Sequence, residues 1–212
     1  MAAPALLDSM ARAEVRARPF RHWRLAHVLP EQMAGALAAL PLEPPALGGV
    51  SGRRELHNPQ RRYFAGELLA RRPAARALAE ALQSAPVVSA WADLAGVALA
   101  GGYLRMEYAL DVDGFWLEPH TDIGAKWLTV FIQLAAPGQA DLGTDLYASP
   151  TVWAERTPFV WNGATAFVPS DHSWHGFEPR PIAGVRRSII VNYVSPDWCD
   201  REQLAFPDRP VG

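Results

Sequence analysis

The sequence predicts a mostly β protein, with supporting helices first and then a jelly-roll sandwich or barrel. Three observations carry that expectation. Segments rich in Ala and Leu at helical spacing fill the first half of the chain. From residue 99 onward, short runs of Val, Ile, Phe, Tyr and Trp alternate with Gly, Pro, Asn and Asp, the pattern of many short strands joined by turns. No internal repeat or low-complexity linker separates the halves, so the helices are expected to buttress the strands as one unit. On this reading residues 1–98 are a support region and not an independent domain, and residues 99–212 are the core with a C-terminal tail.

The elements follow in order. "FRHWRLAHVL" (20–29) alternates weakly and suits an opening strand. "PEQMAGALAAL" (30–40) places Pro at a first-turn position ahead of helical Ala and Leu. "SGRRELHNPQRRYF" (51–64) is polar and turn-rich and reads as a long loop. "RRPAARALAEALQSA" (71–85) and "PVVSAWADLAG" (86–96) read as two helices, the second stopped at Gly96. The candidate strands are "YLRMEYAL", "GFWLEPHTD", "KWLTVFIQLA", "GTDLYAS", "FVWNGATAFVPS", "WHGFEP" and "RRSIIVNYV".

Composition narrows the function. With 212 residues, 50% hydrophobic and 20% charged, the chain can bury a full core. A net charge of -2 and the lack of a basic stripe give no reason to expect nucleic acid or an anionic membrane as partner. The single cysteine, Cys199, forms no internal disulfide and suits a reducing compartment. The Ala- and Arg-rich start could pass for a transit peptide, but Asp8 and Glu14 argue against it, and no window has transmembrane length. A cytoplasmic location is expected.

The chemistry concentrates in "PHTDIGAKWL". Residues i and i+2 of a strand share a face, so His120 and Asp122 can approach one metal together. About fifty residues later His175 opens a strand that can return beside the first. Two histidines and one carboxylate on one face leave other coordination positions open, which suits non-haem Fe(II) better than a closed zinc site. Ten residues separate His175 from Arg186. Arg186 and Ser188 share a face with Ile190 and Asn192, and guanidinium plus hydroxyl is a carboxylate-binding pair. Arg187 points the other way and is expected to be a solvated charge.

His172, in a loop, fits the spacing to Arg186 less well than His175 does. His22, His27 and His57 have no partners at metal spacing and read as surface or structural. Asp141 reads as a turn residue, and Asp145 either faces the pocket or is structural. Arg105 and Tyr103 share one face of their strand and Leu104, Met106 and Tyr108 the other; either set can line a site or pack. Trp116, Trp127 and Trp174 flank the triad as pocket walls or core.

The pattern His-x-Asp, a distant His, then Arg-x-Ser, present here as "HTD", "WHG" and "RRS" over roughly residues 99–195, resembles the Fe(II)/2-oxoglutarate-dependent oxygenases, including the prolyl hydroxylases. The resemblance implies a double-stranded β-helix, a cupin-like jelly roll. It implies that His120, Asp122 and His175 hold Fe(II), and that the far carboxylate of the co-substrate 2-oxoglutarate pairs with Arg186 and Ser188. It further implies that O2 is consumed, that succinate and CO2 are released, and that a C–H bond is oxidised. Asp122 stands where related halogenases carry a small residue, so hydroxylation or another oxygenase outcome is implied. The substrate is expected to be a small molecule or an amino-acid-like group. The alternatives are a prolyl-type protein side-chain hydroxylase or a non-catalytic cupin-like metal or ligand binder. As an iron ligand, Asp122 is expected to be replaceable by Ala without loss of the fold.

Overall fold

Two antiparallel sheets face each other, and a layer of helices backs the larger one. The computed structural model describes residues 2–44, 46–47, 52 and 62–212. Helix α1 (Ala2–Ala11), strands β1 (Glu14–Arg16) and β2 (His22–Ala26) and helix α2 (Glu31–Ala38) come first. Next are β3 (Arg62–Tyr63), α3 (Gly66–Arg71), α4 (Pro73–Gln83) and α5 (Ala85–Ala95). The core follows as β4 (Tyr103–Asp111), β5 (Leu117–His120), β6 (Lys126–Leu134), β7 (Asp145–Ser149), β8 (Val152–Arg156), β9 (Trp161–Phe167), β10 (His175–Phe177) and β11 (Arg186–Val194). The larger sheet runs β1-β2-β9-β6-β11-β4-β3 and the smaller β5-β10-β7-β8.

The helices form where the spacing predicts. On α4 the buried residues Ala75, Leu78, Ala79 and Leu82 make one stripe at i, i+3, i+4 and i+7. Arg72 breaks the expected 71–85 helix, because the residue before a proline is driven out of the helical region: its φ and ψ are -122° and 96°. Gly96 ends α5 in the left-handed conformation, φ 72°, with its N–H donating to the Ala92 carbonyl. Pro30 caps α2 rather than starting its first turn.

The large sheet divides its side chains cleanly. Leu104, Met106, Tyr108, Leu128, Val130, Ile132, Ile189, Val191 and Tyr193 join Leu78, Leu82 and Trp91 in the core between sheet and helices. On the opposite face, Phe131, Phe167 and Ile190 meet Phe20 and Leu146 of β7, so this face packs against the small sheet. Burying both faces explains why β6 and β11 read as nearly continuous apolar runs.

The sheets are not closed as a barrel. The opening strand expected at 20–29 forms as β2; β1, which extends the large sheet beyond it, and β3, which pairs with β4 at the other edge, were not expected. The polar 51–64 segment expected to be a loop lies mostly outside the described residues, as does His57; its end forms β3. No described helix is long and apolar enough to cross a membrane.

Asp145 is structural. Its side chain is fully buried and accepts from Arg156 Nε (2.8 Å), Arg180 Nη1 (2.6 Å), Trp153 Nε1 (3.1 Å) and the Glu178 backbone N–H (2.8 Å). Burial alone raises its pKa, but these donors outweigh burial and hold the carboxyl below its usual range. The exposed Asp141 takes a two-pronged contact from Arg156.

Candidate metal centre

Pairing of β10 with β5 sets His175 directly opposite His120. The imidazole centroids are 4.4 Å apart. Asp122 lies beyond the end of β5, so the same-face rule for strands does not place it; the irregular segment after His120 does. The result still unites the three residues: one donor atom from each of His120, Asp122 and His175 lies within 4.8 Å of the others.

The ring nitrogens are sorted by their backbone neighbours. Nδ1 of His120 is 2.9 Å from the Glu118 carbonyl, and Nδ1 of His175 is 2.9 Å from the Ser173 carbonyl. A carbonyl only accepts, so each Nδ1 carries the hydrogen and each Nε2 keeps its lone pair. Nε2 of His175 is buried and has no hydrogen-bond partner among the described residues. Burial first, then the neighbouring His120, lowers the His175 pKa to about 3. The imidazole is therefore neutral at physiological pH, the form a metal requires. An orphaned buried lone pair beside a second imidazole and a carboxylate fits a divalent metal with nitrogen and oxygen preference.

Close approach of the two strands depends on Gly176. A Cβ there would lie 2.8 Å from the Leu117 carbonyl oxygen and 3.1 Å from that of Glu118, and backbone cannot swing away. Gly176→Ala should therefore push β10 off β5 and separate the two imidazoles. Metal affinity is expected to fall roughly tenfold or more, the scale seen when support of a ligand is lost. Isothermal titration of Gly176→Ala with Fe(II) under anaerobic conditions checks this, and native affinity would show that the sheet adjusts without moving His175.

Asp122 is held from two sides. Lys126 Nζ contacts Oδ1, and the Thr129 hydroxyl lies 2.8 Å from Oδ2. Both charged side chains are buried, at 3% exposure for Asp122 and 8% for Lys126. The sequence reading missed these supports. The signal available was the i, i+4 spacing of Asp122 and Lys126 at a strand start, with Thr129 three residues further along β6.

A cleft open to solvent runs from this centre between the sheets. His120 and His175 line one part and Arg186 and Ser188 another; Phe115, Phe131 and Phe177 supply aromatic walls. Arg186 is buried, donates from Nε to the Leu142 carbonyl (2.7 Å), and pairs through Nη1 with Asp111. Its guanidinium lies 4.8 Å from the ring centroids of both Phe159 and Phe177. Arg187 faces the helices and is half-buried rather than freely solvated, beside Tyr108, whose phenol burial pushes up to about 12.

The other candidates lie elsewhere. His172 is 84% exposed, 3.4 Å from Asp171. His22 is buried with Nδ1 on the Phe20 carbonyl, and His27 is exposed. Trp127 packs at the margin of the helix-backed core, and Trp116 and Trp174 are half-buried. Cys199 is exposed and free.

No family model and no curated protein sequence matches the chain. Solved structures do. A prolyl-4-hydroxylase of Pseudomonas putida superposes with TM-score 0.55 at 17% identity, covering 92% of this chain and 93% of that one. A prolyl hydroxylase of Trichoplax adhaerens, in complex with a hypoxia inducible factor oxygen degradation domain peptide, gives TM-score 0.60 at 13% identity over 91% and 89%. The epimerase SnoN, in complex with Fe3+, alpha-ketoglutarate and nogalamycin RO, gives 0.51 at 14% identity over 92% and 84%. The chain therefore has the jelly-roll fold that these Fe(II)/2-oxoglutarate-dependent oxygenases share.

Proposed function

We propose that the protein is an Fe(II)- and 2-oxoglutarate-dependent oxygenase that hydroxylates a C–H bond of a small-molecule or amino-acid-like substrate. The observation that carries this reading is the meeting of His120, Asp122 and His175 donors within 4.8 Å, with His120 and His175 lining the same cleft as Arg186 and Ser188. A purely structural metal site needs no cationic anchor in the cleft beside it. The residues of 99–212 would bear the chemistry, with residues 1–98 as support.

In this reading His120, Asp122 and His175 would hold Fe(II), and their three-residue set leaves room for co-substrate and O2. Bound iron supplies the oxidation, in which O2 and 2-oxoglutarate give succinate, CO2 and hydroxylated substrate. The chain's part is orientation. The carbonyls of Glu118 and Ser173 fix the tautomers of His120 and His175, so that each Nε2 would be the nitrogen offered to the metal. Lys126 and Thr129 fix the carboxylate of Asp122. Arg186 receives the far carboxylate of 2-oxoglutarate with Ser188 beside it; its contacts to Leu142 and Asp111 leave further N–H groups of the fork to donate. Phe115, Phe131 and Phe177 limit water around the reacting groups.

A second reading, a prolyl-type hydroxylase acting on a protein side chain, is favoured by the two prolyl hydroxylases among the structural neighbours. Succinate release separates the two. Purified protein with Fe(II) and 2-oxoglutarate should turn over faster with a small-molecule member of a metabolite panel than with proline-containing peptides. EDTA should abolish turnover, Fe(II) restore it, and zinc inhibit. Turnover unchanged by EDTA would overturn the iron assignment, and stimulation by peptides alone would move the substrate to protein.

A further inference from the structure

Three buried polar residues cross the floor of the large sheet behind Asp122. Asn192 on β11 stands in register with Arg105 on β4 and with Thr129 on β6. Their exposures are 1% for Arg105, 0% for Asn192 and 1% for Thr129. Arg105 Nη1 is 2.9 Å from Asn192 Oδ1, Asn192 Nδ2 is 2.9 Å from Thr129 Oγ1, and Thr129 Oγ1 is 2.8 Å from Asp122 Oδ2. An apolar trio would fill this space without the cost of burying an amide, a hydroxyl and a guanidinium.

Chemistry gives the chain of contacts one direction. A guanidinium only donates, so Asn192 must present its carbonyl oxygen to Arg105. That fixes the amide: Nδ2 faces Thr129 and can only donate. Thr129 Oγ1 therefore accepts from Asn192, and its own hydrogen is left to donate to Asp122, which as a carboxylate only accepts. Arg105 is itself immobilised, with Nε on Gln203 Oε1 (2.8 Å) and Nη2 on Glu107 Oε2 (3.0 Å). We propose that Arg105, Asn192 and Thr129 are positioning residues, a directed hydrogen-bond relay that fixes the rotation of the Asp122 carboxylate for metal binding. The proposal rests on the metal-centre reading above and extends it to residues that do not touch the metal.

The sharpest test reverses the relay without removing it. Asn192→Asp can still pair with Arg105, which favours a folded protein, but its second oxygen accepts where Nδ2 donated. The Thr129 hydrogen is then drawn to residue 192, and Asp122 faces an oxygen lone pair. Titration of the protein with Co(II), followed by calorimetry and the visible spectrum, is compared with the melting temperature. Asn192→Asp and Thr129→Val are expected to bind Co(II) roughly 10–100-fold more weakly, with an altered spectrum, and Thr129→Ser to bind as the parent does. Val130→Ala, next to Thr129 but facing the helices, should lower the melting temperature and leave Co(II) affinity unchanged. Native Co(II) affinity and spectrum in Asn192→Asp would overturn the relay while leaving the metal centre standing. Weakening in Val130→Ala equal to that in Thr129→Val would also overturn it, by reducing the role to general stability. A parent protein that binds no Co(II) would remove the metal centre itself and the relay with it.

Discussion

Asp122→Ala is expected to lose its Fe(II) affinity and about 3–5 kcal/mol of folding stability together, the usual effect of removing one partner of a buried ion pair. The sequence alone suggested that the fold would survive the loss of Asp122 if the residue is an iron ligand. Burial of the Asp122–Lys126 pair changes that expectation. Removing the carboxylate takes away the close counter-charge of Lys126 in low dielectric and the acceptor of the Thr129 hydroxyl. Asp122→Asn separates the two roles. It keeps the shape and an acceptor for Thr129 but not the charge, so part of the stability should return while iron affinity stays low. His175→Ala should also abolish iron binding. The exposed His172 should tolerate Ala with neither effect. Urea denaturation and anaerobic Fe(II) titration of the four variants measure both quantities. An Asp122→Ala protein that keeps native stability and native iron affinity would remove the residue from both roles.

The contrast shows what a single sequence can carry. Strands β4, β6 and β11 were legible because each has a long run of residues whose two faces are both buried, leaving a strong apolar signal. Strand β8 was not, because it is an edge strand with Val152 53% and Trp153 49% exposed, so no buried face repeats along it. Helix α1 buries Ala2, Leu6 and Met10 at i, i+4 and i+8, but ten residues are too few to stand out from an Ala-rich start. The residues of the candidate metal centre were legible through spacing, although the reason differed: β5 ends at His120, and the segment beyond it rather than a shared strand face delivers Asp122. The support around them was hidden for another reason. Arg105, Asn192 and Thr129 are 87 and 63 residues apart in pairs, and they meet only through cross-strand register. A strand's own pattern says which face a residue takes, not which neighbour it meets.

Arg186→Ala is expected to lower 2-oxoglutarate affinity by about 2–5 kcal/mol, roughly thirtyfold to several thousandfold, while Fe(II) affinity changes little. The guanidinium is 9% exposed, so its contacts are made in low dielectric and are weakly screened. It is also held in place by the Leu142 carbonyl and by Phe159 and Phe177 on either hand, which means that little rotamer entropy remains to be lost when a carboxylate binds. Arg186→Lys returns the charge but not the planar fork, and an ammonium cannot reach Leu142, Asp111 and a ligand carboxylate with the same geometry. Its affinity should fall between those of the parent and Arg186→Ala. Arg187→Ala tests the register. Pairing of Arg186 with Asp111 and of Arg187 with Leu110 sends the two arginines to opposite faces, the first to the cleft and the second toward Tyr108 and the helices. Arg187→Ala should therefore leave 2-oxoglutarate binding intact and show only a small change in stability. Equilibrium binding of 2-oxoglutarate to the Fe(II)-loaded variants, read by the metal-to-ligand absorption band, decides the matter. If Arg187→Ala were the variant that lost the co-substrate and Arg186→Ala the one that kept it, β11 would be displaced by one residue, and Ser188 and Asn192 would leave the cleft face with Arg186.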